Sequence, residues 1–413
     1  MRKITSLILV LLLTFSLTAC GGSNYATVSA IRLSDGFESN VEEYDYYDRS
    51  FTLSQNKMAL EVFAAASQSN TDRNVLISPV SLTSILGMLA NGADNETLNE
   101  IVALLGDNSE ATNHNIYSFW NSVPKSSKIT NTNSVWIKDD NNFSVKNSFL
   151  QANANFYGAD IFKMPFDEKA ADEINGWVNN ATKGEISSIV NEIDKHTCLY
   201  LINALTLDAE WHTPYAKSDI KSGKFNSPDG TTTVKMMTAK ENYYINAGNA
   251  TGFIKEYKNG DYRFVALLPN EGLDINEYIN TLKSDSIASI VEKAMERNVT
   301  SVMPKFSSAF EISFDDTLKS LGITAAFDED KADFTKLGSY KNANLYLANV
   351  MQKTYISVDE KGTKAGAVTK AEIGVKTSLE EMPVTVTLDR PFVYAIIEAK
   401  SNVPLFIGKV IKP

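Results

Sequence analysis

The feature that most constrains the fold is a stretch near the C-terminus, residues 358–391. Two segments typical of strands, residues 345–358 and 392–397, flank about thirty residues that are polar, small and poor in large hydrophobic side chains. Compact domains rarely contain so long a loop without regular structure unless the loop has a function. The chain must therefore build a domain that presents this segment.

The same stretch has a period of two, which is typical of a strand. The first alternating set is small or apolar: Thr363, Ala365, Ala367, Thr369, Ala371 and Ile373. The intervening set is mostly charged or glycine: Lys364, Gly366, Val368, Lys370, Glu372 and Gly374. If the segment became a strand, one face would be buried and the other would meet water.

The N-terminus predicts export. Arg2 and Lys3 precede an apolar run over residues 4–17, and Leu-Thr-Ala-Cys20-Gly follows, so residues 1–20 are typical of a secretory signal. The last residues resemble the lipobox of bacterial lipoproteins, in which the cysteine becomes the lipid-bearing N-terminus. That resemblance implies lipid attachment at Cys20 and a protein anchored at the bacterial cell surface or envelope. The alternative is an ordinary signal peptide or membrane anchor, for which the apolar run is short.

The remaining chain divides into a tether and one domain. Residues 21–51 are rich in acidic side chains, have no sustained period and predict a flexible acidic tether. Residues 52–413 contain no second linker and no internal repeat. The net charge of −11 argues against a nucleic-acid partner, which requires a basic surface.

Periodicity predicts an α+β architecture, because helices come mainly early and strands mainly late. A helix is predicted from about Ser54, and another begins at Ser78 and Pro79, with proline in the first turn. Further helices are predicted over residues 97–104, 147–157, 171–180 and 275–296. Strands are predicted over residues 199–207, 299–305, 345–358, 392–397 and 406–410.

No catalytic motif is present. The three histidines, His114, His196 and His212, have no metal-ligand spacing, and neither a G-x-S-x-G elbow nor a phosphate-binding glycine loop occurs. Cys198 is the only cysteine after Cys20, which excludes a disulfide within the domain, and its apolar surroundings predict a small core residue. The sequence thus favours a protein that is not an enzyme and needs no cofactor or metal.

A series of short motifs resembles the serpin family, in family order and over nearly all of the chain after residue 52. They begin with Asn74-Val-Leu-Ile-Ser78-Pro79-Val-Ser81 and end with Asp389-Arg-Pro-Phe392 and Pro404-Leu-Phe-Ile-Gly408. Between them lie Ile174-Asn-Gly-Trp177-Val, Leu201-Ile-Asn203-Ala, Trp211, Met303-Pro-Lys-Phe306, Leu321-Gly-Ile323 and Ala332-Asp-Phe334. The resemblance implies helices packed on three β-sheets, with a large central sheet and an exposed reactive-centre loop, in a monomer that inhibits proteases.

The resemblance also implies shutter and breach residues: Ser78, Pro79, Ser81, Asn203, Trp211 and Gln352. Gln352 stands where many members carry a histidine that hydrogen-bonds the residue equivalent to Asn203. An amide can supply both a donor and an acceptor, so one interpretation is a preserved hydrogen bond between these two residues. The other is that Gln352 is merely a tolerated polar residue.

The polar stretch matches the reactive loop of inhibitory serpins, which a protease cleaves and whose N-terminal part then inserts into the central sheet. The resemblance assigns a mobile hinge to Glu360, Gly362, Thr363, Ala365, Gly366 and Ala367. Small inward side chains let a sheet close on an inserted strand without overpacking, and glycine relaxes the backbone.

The family's usual spacing, seventeen residues counted from Glu360, makes Lys376–Thr377 the reactive bond. A lysine at that bond suits a trypsin-like serine protease. A bond one or two residues away is the alternative, Lys370 is a weaker candidate, and a cysteine protease is a further possible target.

The sequence therefore predicts an inhibitor that acts as a suicide substrate of serine proteases. Two other functions stay open. A non-inhibitory serpin that acts as a carrier or cell-surface binder would keep the fold, whereas a solute-binding lipoprotein would have two similar lobes.

Overall fold

The computed structural model describes residues 30–41, 47–124, 128–194, 196–282, 287–363 and 384–413. Several predicted features lie outside these residues. They are the signal peptide with Cys20, the distal hinge residues Ala365, Gly366 and Ala367, and the reactive bond of Lys376 and Thr377.

Helices dominate the first half of the chain, as predicted. They are α1 (Arg49–Gln68), α2 (Pro79–Ala90), α3 (Asn95–Leu105), α4 (Ser109–Ser122), α5 (Asn147–Tyr157), α6 (Ala170–Ala181), α7 (Ile275–Thr281), α8 (Ile287–Glu292) and α9 (Asp315–Ser320). In the described part of the chain, no helix is both long enough and apolar enough to cross a membrane.

Strands dominate the second half. The first ten are β1 (Ile31–Arg32), β2 (Val75–Ile77), β3 (Ile129–Lys138), β4 (Phe143–Val145), β5 (Asp160–Met164), β6 (Leu199–Leu207), β7 (Ala209–Glu210), β8 (Ile220–Ser227), β9 (Gly230–Asn246) and β10 (Ala250–Glu256). The others are β11 (Tyr262–Pro269), β12 (Met295–Pro304), β13 (Phe306–Ser313), β14 (Gly338–Tyr340), β15 (Met351–Val358), β16 (Gly362–Thr363), β17 (Val384–Thr387), β18 (Phe392–Glu398) and β19 (Pro404–Val410).

The central sheet has two parts joined at one corner. One part has the strand order β1-β5-β3-β6 and the other β13-β15-β16-β7. Only Asp208 separates the end of β6 from the start of β7, so the first part of the sheet is directly connected to the second. A second large sheet has the order β17-β12-β9-β10-β11-β18-β19-β2, with β8 paired to β9, and β14 pairs β4. This arrangement, helices on several sheets with a large central one, agrees with the fold class expected from the sequence.

Helix α2 lies at the centre of the molecule, in contact with both β6 and β19. Its start follows the sequence signals. The Ser78 side chain caps the helix by accepting a hydrogen bond from the Ser81 backbone N–H at 3.4 Å, and Pro79 occupies the first turn. Every residue of α2 except Ile85 is buried, which is why the helix is apolar on nearly all sides.

Two element predictions are wrong in part. Within residues 275–296, α7 ends at Thr281, α8 spans Ile287–Glu292, and Met295 already begins a strand that pairs with β9. Within residues 345–358, only Met351–Val358 is a strand. The backbone N–H groups of Leu347 and Val350 instead bind the Ala326 carbonyl and the Asp315 carboxylate. Long-range backbone pairing thus overrides the local pattern in both places.

The tether prediction for residues 21–51 needs correction where the structure describes it. Ile31–Arg32 pairs antiparallel with β5, and Arg32 forms an ion pair with Asp160 at 2.7 Å. Leu33 and Phe37 pack against the core although they are only partly buried. Helix α1 begins at Arg49, before the predicted boundary at residue 52. The short segment carried no period because it contributes only two residues to a sheet.

Candidate functional site

The predicted hinge begins with a tight turn at the C-terminal end of β15. After Val358 the Asp359 backbone N–H donates to the Gly362 carbonyl at 3.0 Å, and the Asp359 carboxylate accepts from the Lys361 backbone N–H at 2.8 Å. The side chain of Asp359 thus closes an Asx-type turn. The turn reverses the chain, so that the residues after it run back along β15.

Gly362 and Thr363 are already part of the central sheet. Strand β16 lies between β15 and β7, with Thr363 opposite Val358 on one side and Gly362 and Thr363 opposite Glu210 and Ala209 on the other. A Cβ atom on Gly362 would stand 2.0 Å from the Ala209 carbonyl oxygen. Only glycine allows this close approach of two backbones.

The Thr363 side chain points into the protein and is 2% exposed. Its hydroxyl shares a hydrogen bond with the Tyr257 hydroxyl. Burial raises the pKa of Tyr257, so that its phenol stays neutral. The Trp211 ring stacks on the Tyr257 ring with centroids 4.4 Å apart. Thr363 therefore sits in a buried socket, where its hydroxyl is paired with the Tyr257 hydroxyl.

Three hydrogen bonds hold the hinge turn to the segment of residues 211–215. The backbone N–H groups of Trp211 and Tyr215 donate to the carbonyls of Lys361 and Glu360, at 2.8 and 2.9 Å. The Trp211 indole N–H donates to the Asp359 carbonyl at 2.8 Å. One neighbouring segment therefore binds the carbonyls of Asp359, Glu360 and Lys361.

Glu360 forms an ion pair with Lys305, which follows β12 directly. The hydrogen bond from Lys305 holds the pKa of Glu360 below its usual range, so the carboxylate is charged near neutral pH. Both side chains are about 30% exposed, and solvent weakens a pair of this kind. The pair ties the hinge to the second large sheet.

Below Thr363 the central sheet is parted. Residues 205–207 of β6 and 355–357 of β15 line a common cavity of about 10 Å³, together with Thr363, Glu185 and Ile186. Between the described residues of β6 and β15 no ladder pairing occurs. Strand β16 lies between β15 and β7, beyond the end of β6. The backbone edges that an inserting strand would need are thus present at this seam.

A second cluster consists of Ser78, Ser81 and Gln352. It lies near the start of β15, at the opposite end of that strand from the hinge turn. The Gln352 amide accepts from the Ser78 backbone N–H at 2.8 Å and donates to the Ser78 carbonyl at 3.0 Å. Asn203 instead donates to Asn131 and Asn133 at 2.7 and 2.8 Å. The suggested bond between Gln352 and Asn203 is therefore absent. Gln352 has a definite role of its own, because its amide joins the start of α2 to β15.

Cys198 is only partly buried, in contrast to the prediction of a core residue. It directly precedes the first residue of β6, and its thiol lies 3.5 Å from the His196 carbonyl. Partial burial raises the pKa of the thiol, which keeps it protonated and poorly nucleophilic. The expectation of an unreactive cysteine therefore has a different structural basis.

The structure brings Trp211 together with Glu360, Gly362 and Thr363, and it separates them from the Ser78 cluster. The sequence alone did not identify several residues that complete the hinge site: Ala209, Glu210, Tyr257 and Lys305. Lys305 lies within a recognised motif, but nothing local links it to Glu360. Contacts between residues so far apart in the chain leave no periodic signal.

Comparison with known proteins identifies relatives over most of the chain. The family model described as "Serpin (serine protease inhibitor)" matches residues 53–413. Glia-derived nexin of Rattus norvegicus is 29% identical over 370 residues, which cover 86% of this chain and 91% of the nexin.

Solved structures agree with this match. The thermophilic serpin tengpin in its native state superimposes with a TM-score of 0.87 and 41% identity, covering 93% of this chain and 100% of tengpin. Thyroxine-binding globulin in complex with thyroxine gives a TM-score of 0.76 and 26% identity, covering 88% of this chain and 99% of the globulin.

Proposed function

The chain belongs to the serpin family, which is named for the inhibition of proteases and not for catalysis. From this family membership we propose that the protein inhibits serine proteases as a single-use suicide substrate. The observation that carries the proposal is the position of Gly362 and Thr363. These two residues already occupy the first strand positions between β15 and β7, above the seam between β6 and β15. Further residues of the loop could therefore pair with β15 in the register that Thr363 already has with Val358.

In the proposed mechanism the protease's serine attacks the carbonyl carbon of the reactive bond. The peptide bond breaks, the new amine leaves with the C-terminal fragment, and an ester joins the loop to the enzyme. The freed N-terminal part of the loop then enters the seam and moves the attached protease. Distortion of the catalytic site prevents the hydrolysis of the ester, because that step needs an intact oxyanion hole and base.

Small side chains on the inward face support this mechanism. Insertion gains ladder hydrogen bonds, but it also orders a long segment, so burial of the inward side chains must contribute to the driving force. The inward set that starts at Thr363 is small or apolar at every position up to Ile373. A bulky or charged inward residue would remove that contribution.

For the target we propose a trypsin-like protease that cleaves at Lys376–Thr377. The support is the spacing from Glu360 and the fit of a lysine to an acidic specificity pocket. A neighbouring bond is the alternative. We further propose that lipid on Cys20 anchors the exported protein in the bacterial cell envelope, which lipid labelling of the wild type and of a Cys20→Ala variant would test.

Incubation with trypsin tests the function directly. The purified protein in excess is expected to give an adduct that survives denaturing electrophoresis, with a mass close to the sum of the two proteins. Mass spectrometry of the released C-terminal fragment would identify the bond. Cleavage of the loop without any stable adduct, for trypsin and for a set of related serine proteases, would contradict the proposal.

A non-inhibitory carrier is the second candidate. It is favoured by the similarity to thyroxine-binding globulin, a family member solved with a small hormone. The small inward residues of the hinge favour the inhibitor instead, because a carrier has no need to insert its loop rapidly.

A further inference from the structure

A buried ion pair lies behind the segment that holds the hinge turn. Lys255 on β10 and Glu241 on β9 are 2% and 8% exposed, and the Lys255 ammonium lies 2.9 Å from a Glu241 carboxylate oxygen. The same oxygen accepts a hydrogen bond from the Ser301 hydroxyl at 3.2 Å. The sequence motifs did not single out either charged residue, and the hinge contacts described above do not include them.

Lys255 contacts the holding segment of residues 211–215 at three points. Its ammonium donates to the Thr213 carbonyl at 3.2 Å. It also lies over the rings of Trp211 and Tyr215, at 5.4 and 4.5 Å from their centroids. Cation–π contacts of a buried ammonium are stronger than exposed ones, because water does not compete for the charge.

The holding segment has little regular secondary structure of its own. Residues 212–215 belong to no helix or strand, and Trp211 makes one isolated bridge, to Tyr257. The His212 backbone N–H donates to the Glu256 carbonyl at 2.9 Å. Lys255 thus fixes the middle of the segment whose two ends bind the hinge turn.

Stability alone does not account for such a pair. Removing two charges from water is costly, and replacing a buried ion pair by apolar residues of similar size is often neutral or stabilising. What an apolar pair cannot supply is a directed bond to the Thr213 carbonyl. The pair is therefore suited to fixing a position.

We propose that the Glu241–Lys255 pair positions residues 211–215 against the hinge turn and thereby raises the fraction of attacked loops that insert before the ester hydrolyses. The inference rests on the proposed inhibitory function. Lys255 acts here as a positioning residue, since it touches neither the loop nor the protease. A turn that is held firmly keeps Thr363 in its socket, so insertion starts from an ordered end.

The test compares the full-length protein with the double variant Glu241→Leu/Lys255→Met, which replaces both charges by apolar side chains of similar length. The control is Asp139→Leu/Lys163→Met, which removes an exposed ion pair of 2.8 Å at a distance from the hinge. Four quantities are measured: the melting temperature, amide hydrogen exchange of Trp211 and Tyr215, the rate of association with trypsin, and the stoichiometry of inhibition. The last is the number of inhibitor molecules consumed per protease inactivated.

For the double variant we expect a melting temperature within a few degrees of the wild type, since apolar replacement of a buried pair is about neutral. Exchange of the two amides should become about tenfold faster, because local opening becomes easier. The stoichiometry of inhibition should rise about threefold or more, because a larger fraction of the ester is hydrolysed before the loop inserts. The association rate should stay within about twofold, because the first binding of the protease to the loop does not involve the ion pair. The control should match the wild type in all four quantities.

Unchanged exchange at Trp211 and Tyr215 would overturn the inference, as would faster exchange with an unchanged stoichiometry. A fall in melting temperature that fully accounts for the faster exchange would also overturn it, because the role would then be structural. If the wild type itself forms no adduct, the proposed function fails and the inference fails with it. If the wild type forms an adduct and the double variant behaves in the same way, only the inference about the ion pair fails and the proposed function stands.

Discussion

At the scale of single residues, the hinge site depends on side chains that fit one position closely. Gly362 faces the Ala209 carbonyl, and Thr363 fills a socket formed with Tyr257. Glycine is required where two backbones nearly touch, and a small side chain is required where burial is complete. Substitution at these positions should change function more than it changes the fold.

The clearest test at this scale is Thr363→Arg. A guanidinium cannot enter the socket at a position that is 2% exposed, and its desolvation would oppose insertion of the loop. We expect the variant to be cleaved by trypsin as a substrate, with a stoichiometry of inhibition raised about tenfold or more. Thr363→Ser, which keeps the hydroxyl and the small size, is the matched control. Inhibition by the arginine variant at the wild-type level would contradict the assigned hinge.

Lys409 gives a prediction about pH. It is fully buried on β19, where its ammonium donates to the Asn70 carbonyl and the Asn276 side chain at 2.8 and 2.6 Å. Burial lowers its pKa from 10.5 to about 8. Between these two values the unfolded chain binds more protons than the folded one, so the free energy of unfolding contributed by Lys409 rises with pH across that window. Below pH 8 both states are protonated and the contribution is constant.

Comparison of the wild type with Lys409→Met would reveal that contribution. Relative to the variant, the wild type should gain roughly 3 kcal/mol of unfolding free energy between pH 8 and pH 10.5, as the shift in pKa requires. Other titrating groups cancel in the difference. Chemical denaturation at several pH values measures it, and a difference that does not vary with pH would exclude a lowered pKa for this lysine.

At the scale of elements, short strands have effects out of proportion to their length. Strand β16 contributes two residues and still joins β15 to β7 in the central sheet. Strand β1 also has two residues, and it covers the edge of β5 that would otherwise face solvent. Neither strand is long enough to have a period in the sequence, so both depend on their partners.

Removal of β1 should therefore lower stability. A chain that starts at residue 42 loses the pairing with β5, the ion pair of Arg32 with Asp160, and the contacts of Leu33 and Phe37 with the core. We expect its melting temperature to fall by a few degrees, as the loss of one or two kcal/mol would produce in a domain of this size. A chain that starts at residue 30 is the control. Equal melting temperatures of the two chains would mean that residues 30–41 add nothing to stability.

At the scale of the whole molecule, the central sheet has an unpaired seam between the described residues of β6 and β15. It is joined at its upper corner through β7 and β16, and the cavity between β6 and β15 lies directly below Thr363. Under the proposed mechanism, release of the loop would give the molecule a state of lower free energy, with the loop inserted at this seam.

Cleavage of the loop should raise the melting temperature markedly. If the cleaved loop inserts as proposed, it adds ladder hydrogen bonds and buried apolar area to the central sheet. We therefore expect the nicked protein to melt about 10 °C or more above the intact one. Limited proteolysis followed by calorimetry measures the change. A melting temperature that stays the same after cleavage would favour the non-inhibitory carrier. Thr363→Arg should show a smaller rise than the wild type.

The sequence by itself determined the family and the order of most of the elements. The cap at Ser78, the proline at Pro79, the apolar strand of β6 and the small alternating residues from Thr363 each act within a few positions, so local periodicity and turn chemistry reveal them. Ordered motifs along the chain then indicated the family, and the family indicated the hinge.

Only the tertiary structure decided which residues meet at the hinge. Lys305 binds Glu360, Tyr257 binds Thr363, and Lys255 reaches Thr213 across distances in the chain that no repeat spans. The same holds for Gln352, whose partner is Ser78 and not Asn203. The alternating pattern that starts at Thr363 was thus readable from the sequence, because a period of two is local. The site that holds its first residues was not, because packing in three dimensions brings that site together.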